Sequence, residues 1–399
     1  ALSFFVLAWQ VLLYTLEKPY KTNAQQQTEL DKLRVVVNVP VCNEDPEALI
    51  NCLLSIGEQT RPVQQVQVVV NGPNKVDYTG VKLAAKHFAA KYNMPTSWVT
   101  QEVAGKRQAQ ARTIRSYLGS DDIFLTIDSD AYLDAKAVEE GLKPFAKPKI
   151  MSVAGIVLTM NNRAKFMTRM SDLWFLVGQL VDRSAASTMG SVIVNSGVLA
   201  FYRGHILLDN LDGYTNEQFF GRSIEFSDDS LLTLYALQKG KAIQQPTSFA
   251  FTLMPEKMSH HFRQQIRWMR GAFIRSWWRF KYLPMNGYAY WNHLMGWVQL
   301  LLSLGLFCYL FAWMPLIDHA MLPYLLLIPL CVGYGQGLRY LTITRNDESF
   351  WYRFATYLCQ PIPSMWSFFV LRFLRIYAIA TCLKTGWGTR ASVEVEASA

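Results

Sequence analysis

The chain has 399 residues, enough for two or three domains at about 150 residues each. Hydrophobic residues make up 51% and charged residues 17%, against about 25% charged in an ordinary soluble domain. That balance excludes a disordered chain, a collagen-like fibre and a disulfide scaffold, and it points to a partly membrane-embedded protein. Lys and Arg total 39 and Asp and Glu 30, a net charge of +9 that suits anionic substrates, anionic lipid or nucleic acid.

Residues 1–16 are apolar and uncharged, and at a 1.5 Å rise they reach about 24 Å, slightly short of the roughly 30 Å bilayer core. With Ala1 first, this stretch is expected to be a truncated transmembrane helix over 1–18. No basic stretch or small-residue cleavage site precedes Glu17-Lys18, so a cleaved signal peptide is not indicated. From residue 31 the pattern becomes α/β. Val35–Val39, Val66–Val70 and Ile123–Ile127 read as short buried strands, the first two closed by Pro40 and by Asn71-Gly72-Pro73. Asp45–Gln59 has helical spacing, with Leu49, Cys52, Leu53 and Ile56 on one face. Strands alternating with helices imply a mostly parallel sheet whose ligands sit beyond the carboxyl ends of its strands. Lys257–Lys281 is basic and aromatic without an acidic residue. Tyr288–Trp313 and Leu322–Leu341 are each long enough to span, and Leu358–Leu383 is apolar but broken by Pro361 and Pro363. The basic excess between Arg339 and Arg390 places the flanking loops in the cytoplasm.

The six cysteines (Cys42, Cys52, Cys308, Cys331, Cys359, Cys382) form no C-x-x-C pair and read as reduced packing residues, and no histidine spacing suits zinc. No G-x-G-x-x-G follows the first strand, no Walker frame surrounds Gly105-Lys106-Arg107, and no G-x-S-x-G elbow is present. Those absences argue against a dinucleotide oxidoreductase, a P-loop enzyme and a Ser-His-Asp hydrolase. Asp128-Ser129-Asp130 follows a buried strand, so two carboxylates can converge on a hard cation that bridges to phosphate; a turn or helix cap is the plainer reading. Ser227-Asp228-Asp229 opens an apolar helix, where the carboxylates either suit the helix dipole or supply a general base with a raised pKa. Gln264, Arg267 and Trp268 share a helix face: Arg pairs with pyrophosphate and Trp offers a flat surface to a sugar, while a basic helix on an anionic membrane is the competing reading. Gly105-Lys106-Arg107 is a candidate diphosphate contact, and Gly386-Trp387-Gly388-Thr389-Arg390 follows the last apolar stretch, where a helix terminus capped by Gly is the plainer reading.

Taken in order, these segments resemble the processive family 2 glycosyltransferases, the hyaluronan, chitin, cellulose and type 3 capsule synthases. The matching residues are Val39-Pro40-Val41-Cys42-Asn43-Glu44, Asn71-Gly72, Gly105-Lys106-Arg107, Asp128-Ser129-Asp130, Asn195-Ser196-Gly197 with Tyr202-Arg203, Ser227-Asp228-Asp229, Gln264-x-x-Arg267-Trp268 and Trp387-Gly388-Thr389-Arg390. The resemblance implies an α/β glycosyltransferase-A (Rossmann-like) cytosolic domain combined with an α-helical transmembrane region and interfacial amphipathic helices. Its implied units are the helix 1–18, a catalytic domain 31–255, an interfacial helix 256–285, two spans in 286–345, a re-entrant or interfacial segment 346–385 and a gating loop and tail 386–399. It implies that Asn43, Glu44 and Asn71 border the uridine, that Lys106, Asp128 and Asp130 hold the diphosphate with a divalent cation (Mn2+ or Mg2+), and that Ser196 and Gly197 line the substrate site. Asp229 would be the general base beside Asp228. Gln264 and Trp268 would meet the acceptor, Arg267 the leaving UDP, and Trp387 and Arg390 a gate over the nucleotide.

The implied enzyme is a multi-pass plasma-membrane (inner-membrane) polymerase with a cytoplasmic catalytic domain. It would draw on UDP-sugars, with UDP-GlcA plus UDP-GlcNAc or UDP-Glc favoured, bind the growing polysaccharide and the lipid bilayer, and bind no nucleic acid. A chitin or glucan synthase, or a non-processive glycolipid transferase, is the alternative. Two departures stand out: Asn71 where many relatives carry Asp, and Ser227 where Gly-Asp-Asp is commoner. A third full span over 358–383 would put Trp387 outside the cell, so that segment is expected to be re-entrant, or a broken helix followed by an interfacial one carrying Arg372 and Arg375.

Overall fold

The computed structural model describes residues 2–102, 105–313, 322–343, 345, 347–386 and 395. Its centre is an eight-stranded sheet of order β3-β2-β1-β4-β7-β6-β10-β5. The strands are β1 (Val35–Val41), β2 (Gln65–Asn71), β3 (Thr96–Gln101), β4 (Ile123–Thr126), β5 (Tyr132–Leu133), β6 (Ile150–Thr159), β7 (Ala200–Arg203) and β10 (Lys241–Thr252); β8 (Gln218–Phe219) and β9 (Arg222–Ser223) form a separate hairpin.

The valine-rich runs become β1 and β2 because every residue in them is buried, as continuous apolar strands require when helices cover both faces. Between them the Pro46–Gly57 helix is capped by the Asp45 carboxylate, which accepts from the Ala48 amide at 3.2 Å, with Pro46 pre-set at its first position. β3, β2, β1 and β4 are parallel, as the alternating pattern predicts. Beyond β4 two strands, β7 and β5, run against the other six, so the sheet is mixed but mostly parallel, as expected. β7 runs antiparallel to both β4 and β6, β6 and β10 are parallel, and β5 closes the edge antiparallel to β10. Reversal at β7 brings the Ser196-Gly197 turn back to the carboxyl end of β4: Thr126 Oγ1 donates to the Gly197 carbonyl at 3.3 Å.

The helix Leu2–Thr15 packs on the Gln179–Thr188 segment, where the Phe166–Gly178 helix widens into a π turn. Among the described residues, two segments are long and apolar enough to cross a membrane, Tyr288–Trp313 and Phe350–Ala380. The second is helical on either side of a turn at Cys359–Gln360 and resumes at Pro361, where the missing N–H costs nothing. Leu322–Leu341, read from sequence as a span, contains a helix of 16 residues, Leu322–Gly337, that tightens into a 3-10 turn.

Buried charge fastens these helices to the sheet domain. Arg345 reaches Asp172 at 3.1 Å, Arg169 pairs with Glu348, and Arg339 reaches Glu17 at 2.8 Å. Breaking such a buried pair costs about 3–5 kcal/mol, so these contacts fix how the helices sit on the domain. All six cysteines are free; Cys52 is buried, whereas Cys308 and Cys331, read from sequence as packing residues, are exposed.

Candidate active site

One cavity of about 1500 Å³ begins at the carboxyl ends of β1, β2 and β4 and runs between the apolar helices as far as Ser303, Phe307, Gln336, Gln360 and Arg372. Of the residues the sequence singles out, Asn43, Glu44, Asn71, Lys106, Asp128, Asp130, Ser196, Gly197, Asp228, Asp229, Gln264, Arg267 and Trp268 all line it. Trp387 and Arg390 lie outside the described residues.

Asp128 and Asp130 flank the buried Ser129, whose hydroxyl donates to Glu44 Oε2 at 2.7 Å, so both carboxylates face the cavity. Lys106 opens the Lys106–Tyr117 helix after Gly105, a left-sided backbone position with φ 129°. Its Nζ lies 2.6 Å from Asp128 Oδ1 and 3.4 Å from Asp228 Oδ2. Burial works against this ammonium, and the carboxylates of Asp128, Asp228 and Asp229 outweigh it, holding Lys106 protonated well above its ordinary range.

Asp228 and Asp229 begin the Asp228–Lys239 helix behind Ser227, whose backbone is left-handed at φ 61° and ψ 37°. That conformation explains why glycine suits this position, since a Cβ is disfavoured there. The two carboxylates differ in surroundings. Asp228 is buried, which raises its pKa, but it faces Lys106 and Arg107 and accepts from Gln110 Nε2 at 3.2 Å, so it stays below its ordinary value. Asp229 is pushed up to about 6 by burial and then by the charge of Asp228. Neighbouring carboxylates driven apart in this way divide into a permanent anion and a proton acceptor.

Trp268 is 37% exposed, and its ring stacks on Phe175 with centroids 5.9 Å apart and planes at 26°. Phe175, which no motif marks, is therefore part of the aromatic wall. The uridine candidates spend hydrogen-bonding capacity on the fold. Asn43 Oδ1 accepts from the Lys75 amide at 2.8 Å, and Asn71 Oδ1 accepts from Gln101 Nε2 at 2.7 Å.

Some motif residues serve the scaffold. Arg107, read from sequence as a diphosphate contact beside Lys106, points away from the cavity and pairs with Glu217 at 2.6 Å. Tyr202 lies under the Asp229 carbonyl, and Arg203 holds the carbonyls of Ile150 and Phe145. Two of the basic residues assigned to a membrane-facing stripe, Arg275 and Arg279, are buried: Arg275 grips Glu217, and Arg279 donates to the Ile193 carbonyl at 2.8 Å. Four residues apart, the two share a helix face with the buried Gly271.

Among the described residues no three acidic, histidine or cysteine side chains converge as a metal cage. Asp128 and Asp130 are nonetheless all-oxygen donors lining the cavity beside the Lys106 ammonium, the type of donor by which a hard cation is held jointly with substrate phosphates.

The sequence profile of Glycosyl transferase family group 2 matches residues 123–338, and that of Glycosyl transferase family 2 matches 36–208. The chain belongs to glycosyltransferase family 2. The sheet is accordingly the open sheet of a glycosyltransferase-A-like fold, and the expected enzyme class, a UDP-sugar-dependent glycosyltransferase, stands. This glycosyltransferase is 28% identical over 386 residues to hyaluronan synthase of Streptococcus pyogenes serotype M3, covering 95% of this chain and 87% of that one. It is 31% identical over 265 residues to an N-acetylglucosaminyltransferase of Bradyrhizobium diazoefficiens, covering 66% of this chain and 54% of that one. A crystal structure of S. aureus TarS is similar at a TM-score of 0.41 and 14% identity, over 88% of this chain and 55% of that one.

Proposed function

We propose that the protein is a membrane-embedded, processive, inverting glycosyltransferase that polymerises UDP-activated sugars and passes the product outward between its own helices. One observation carries the reading: the cavity holding Lys106 and the Asp228/Asp229 pair is continuous past Trp268 with the space between the apolar helices. The proposed units are the helix 1–18, a catalytic domain 31–255, an interfacial helix 256–285, spans in 286–345, a Pro-broken segment 346–385 and a gating tail 386–399 carrying Trp387 and Arg390.

In this reading Asn43, Glu44 and Asn71 border the uridine, while Ser196 and Gly197 face the donor. Lys106 meets the diphosphate with Asp128 and Asp130, which would hold a divalent cation; when bound, that cation adds positive charge against the departing phosphates. Trp268, backed by Phe175, orients the acceptor sugar alongside Gln264. Asp229, ionised at neutral pH yet near its pKa, takes the acceptor hydroxyl proton as that oxygen bonds to the anomeric carbon. The bond from that carbon to the diphosphate breaks on the opposite face, and Arg267 and Lys106 meet the charge that develops on UDP.

The favoured product alternates GlcA with GlcNAc or Glc. Similarity to hyaluronan synthases supports it, as does the positive charge of Arg372 and Arg375 in the distal wall, which suits a carboxylate-bearing chain. A chitooligosaccharide is the second reading, favoured by the similarity to N-acetylglucosaminyltransferases. UDP release from purified protein supplied with UDP-GlcA, UDP-GlcNAc and UDP-Glc, singly and in pairs, decides. A requirement for UDP-GlcA plus a partner sustains the first reading, and release with UDP-GlcNAc alone sustains the second. No release with any donor overturns both.

A further inference from the structure

The β8–β9 hairpin stands outside the cavity. Gln218 pairs with Ser223 and Phe219 with Arg222, which leaves Phe220 and Gly221 as the two central residues of the turn. Both are left-handed, at φ 48° and 74°. Asn, Asp or Gly fills such positions with least strain, and a bulky aromatic there is a backbone outlier. The neighbouring Phe219 accounts for the hairpin's hold on the fold, being buried with Ile224, Phe226 and Ile274. Phe220 lies outside that cluster: it is 74% exposed, its ring meeting Phe219 edge-on at 4.7 Å and lying 6.4 Å from that of Trp277, itself 57% exposed on the Met258–Tyr282 helix. A costly conformation that delivers an aromatic ring to the outside calls for a non-aqueous partner.

The chain itself indicates which one. Only five residues separate Tyr282 from Tyr288, where the apolar Tyr288–Trp313 segment begins. So short a link holds the carboxyl end of the Met258–Tyr282 helix at the level where that segment would enter a bilayer. Tyr282 and Trp291 are also exposed there, the composition of an interfacial aromatic belt. We propose that the tip of the β8–β9 hairpin is a lipid-contact site, with Phe220 and Trp277 seated together in the headgroup region of the bilayer. The proposal rests on the membrane reading above.

Photocrosslinking in phosphatidylcholine–phosphatidylglycerol vesicles tests it. Full-length protein carries p-benzoylphenylalanine at Phe220, at Leu301 on the apolar Tyr288–Cys308 helix, or at the exposed Leu83 of the Thr79–Lys91 helix. Lipid adducts at 220 and 301 but not at 83 are the expected result. An adduct at 301 alone overturns the hairpin proposal and leaves the membrane reading standing, whereas no adduct at either overturns both. Crosslinking of 220 to a second copy of the chain, or lipid adducts at all three positions, also overturns it. Phe220→Asn, which relieves the left-handed backbone, should melt no lower than the parent in detergent; a lower midpoint would show that the ring supports the fold and would overturn the assignment.

Discussion

A Cβ on Gly197 would lie 2.8 Å from the Nζ of Lys106, closer than a carbon and an ammonium nitrogen can sit. The ammonium cannot simply swing away, because Asp128 holds it at 2.6 Å and Asp228 at 3.4 Å. Glycine is thus required for close approach, and Gly197→Ala should displace Lys106 without disturbing the sheet. We expect transfer to fall by about 10²-fold, the scale of a misplacement near 1 Å, with the melting midpoint little changed. UDP-release rates and thermal melts of the variant check both halves; unchanged turnover would remove Lys106 from the diphosphate site.

Asp229 should set the acid limb of the pH profile. It acts as a carboxylate and its pKa is pushed up to about 6, so kcat should fall roughly tenfold per unit below that pH. The stability sign is opposite to that of a salt-bridged aspartate. A folded pKa above the ordinary value of about 3.9 means that ionised Asp229 costs stability above pH 6, and that the cost fades as pH falls towards 4. Asp229→Asn should therefore abolish transfer yet raise stability by about 1 kcal/mol at pH 7.5, allowing for its partial exposure, with the gain shrinking by pH 4. Melts across that range would contradict the assignment if the variant were less stable at neutral pH.

Ser227 and Gly271 form a second close approach. A Cβ on Gly271 would meet the Ser227 Cβ at 2.8 Å, so the Met258–Tyr282 helix presses directly on the left-handed residue that precedes the two carboxylates. Gly271→Ala should cost about 1–3 kcal/mol by overpacking and slow transfer as Asp228 and Asp229 shift. Ser227→Gly should be stable within about 1 kcal/mol of the parent and fully active, because glycine adopts the left-handed conformation freely. Combined, the two changes should recover most of the loss. A double-mutant cycle with no coupling energy would show that the pressure lies elsewhere.

How far the sequence disclosed this arrangement depends on the range of the interaction involved. Asp128 and Asp130 were legible because they alternate about one residue at the end of a buried strand, and Trp268 because it shares a helix face with Gln264. Lys106 and Arg107 were read together, but successive residues on a helix point about 100° apart, so one enters the cavity and the other turns to Glu217. β7, four residues long and antiparallel on both sides, carries too little periodicity to announce its direction. Phe175 belongs to the site only through a ring contact 93 positions away in the chain, which spacing cannot encode.

The Arg275–Glu217 pair was equally invisible, and it predicts a loss of fold before a loss of chemistry. Arg275 is fully buried and engages both Glu217 oxygens, at 2.6 and 3.1 Å, while also donating to the Ser227 carbonyl and the Ser230 hydroxyl. Glu217 in turn neutralises Arg107. Its own burial raises its pKa, but the two guanidiniums more than offset that and hold it below its ordinary value. Glu217→Gln leaves two buried guanidiniums facing a neutral amide and should destabilise by about 3–5 kcal/mol at pH 7.5. Because the folded pKa is lowered, the parent loses this contribution as pH falls through and below the ordinary glutamate range, about 4.3, and the variant should then approach it. Denaturant titrations at pH 7.5 and pH 4 read the difference; equal midpoints at pH 7.5 would show that the pair carries no net stability.

On the proposed acceptor role of Trp268, changes at Trp268 and Phe175 should separate chain extension from donor binding. One face of the indole rests on Phe175 and the other borders the cavity, so removing the backing ring leaves the platform in place but free to tilt. Trp268→Ala should remove the acceptor surface and reduce polymer output by about tenfold, the effect of losing about 1.4 kcal/mol of transition-state stabilisation. Trp268→Phe should retain part of it. Phe175→Ala should yield shorter chains at an intermediate rate, because an acceptor less firmly oriented dissociates more often between additions. UDP binding, proposed above for Asn43, Glu44, Asn71 and Lys106, should change little in all three. Gel sizing of the product with calorimetric UDP titration checks the split, and a parallel loss of UDP affinity would place Trp268 with the donor instead of the acceptor.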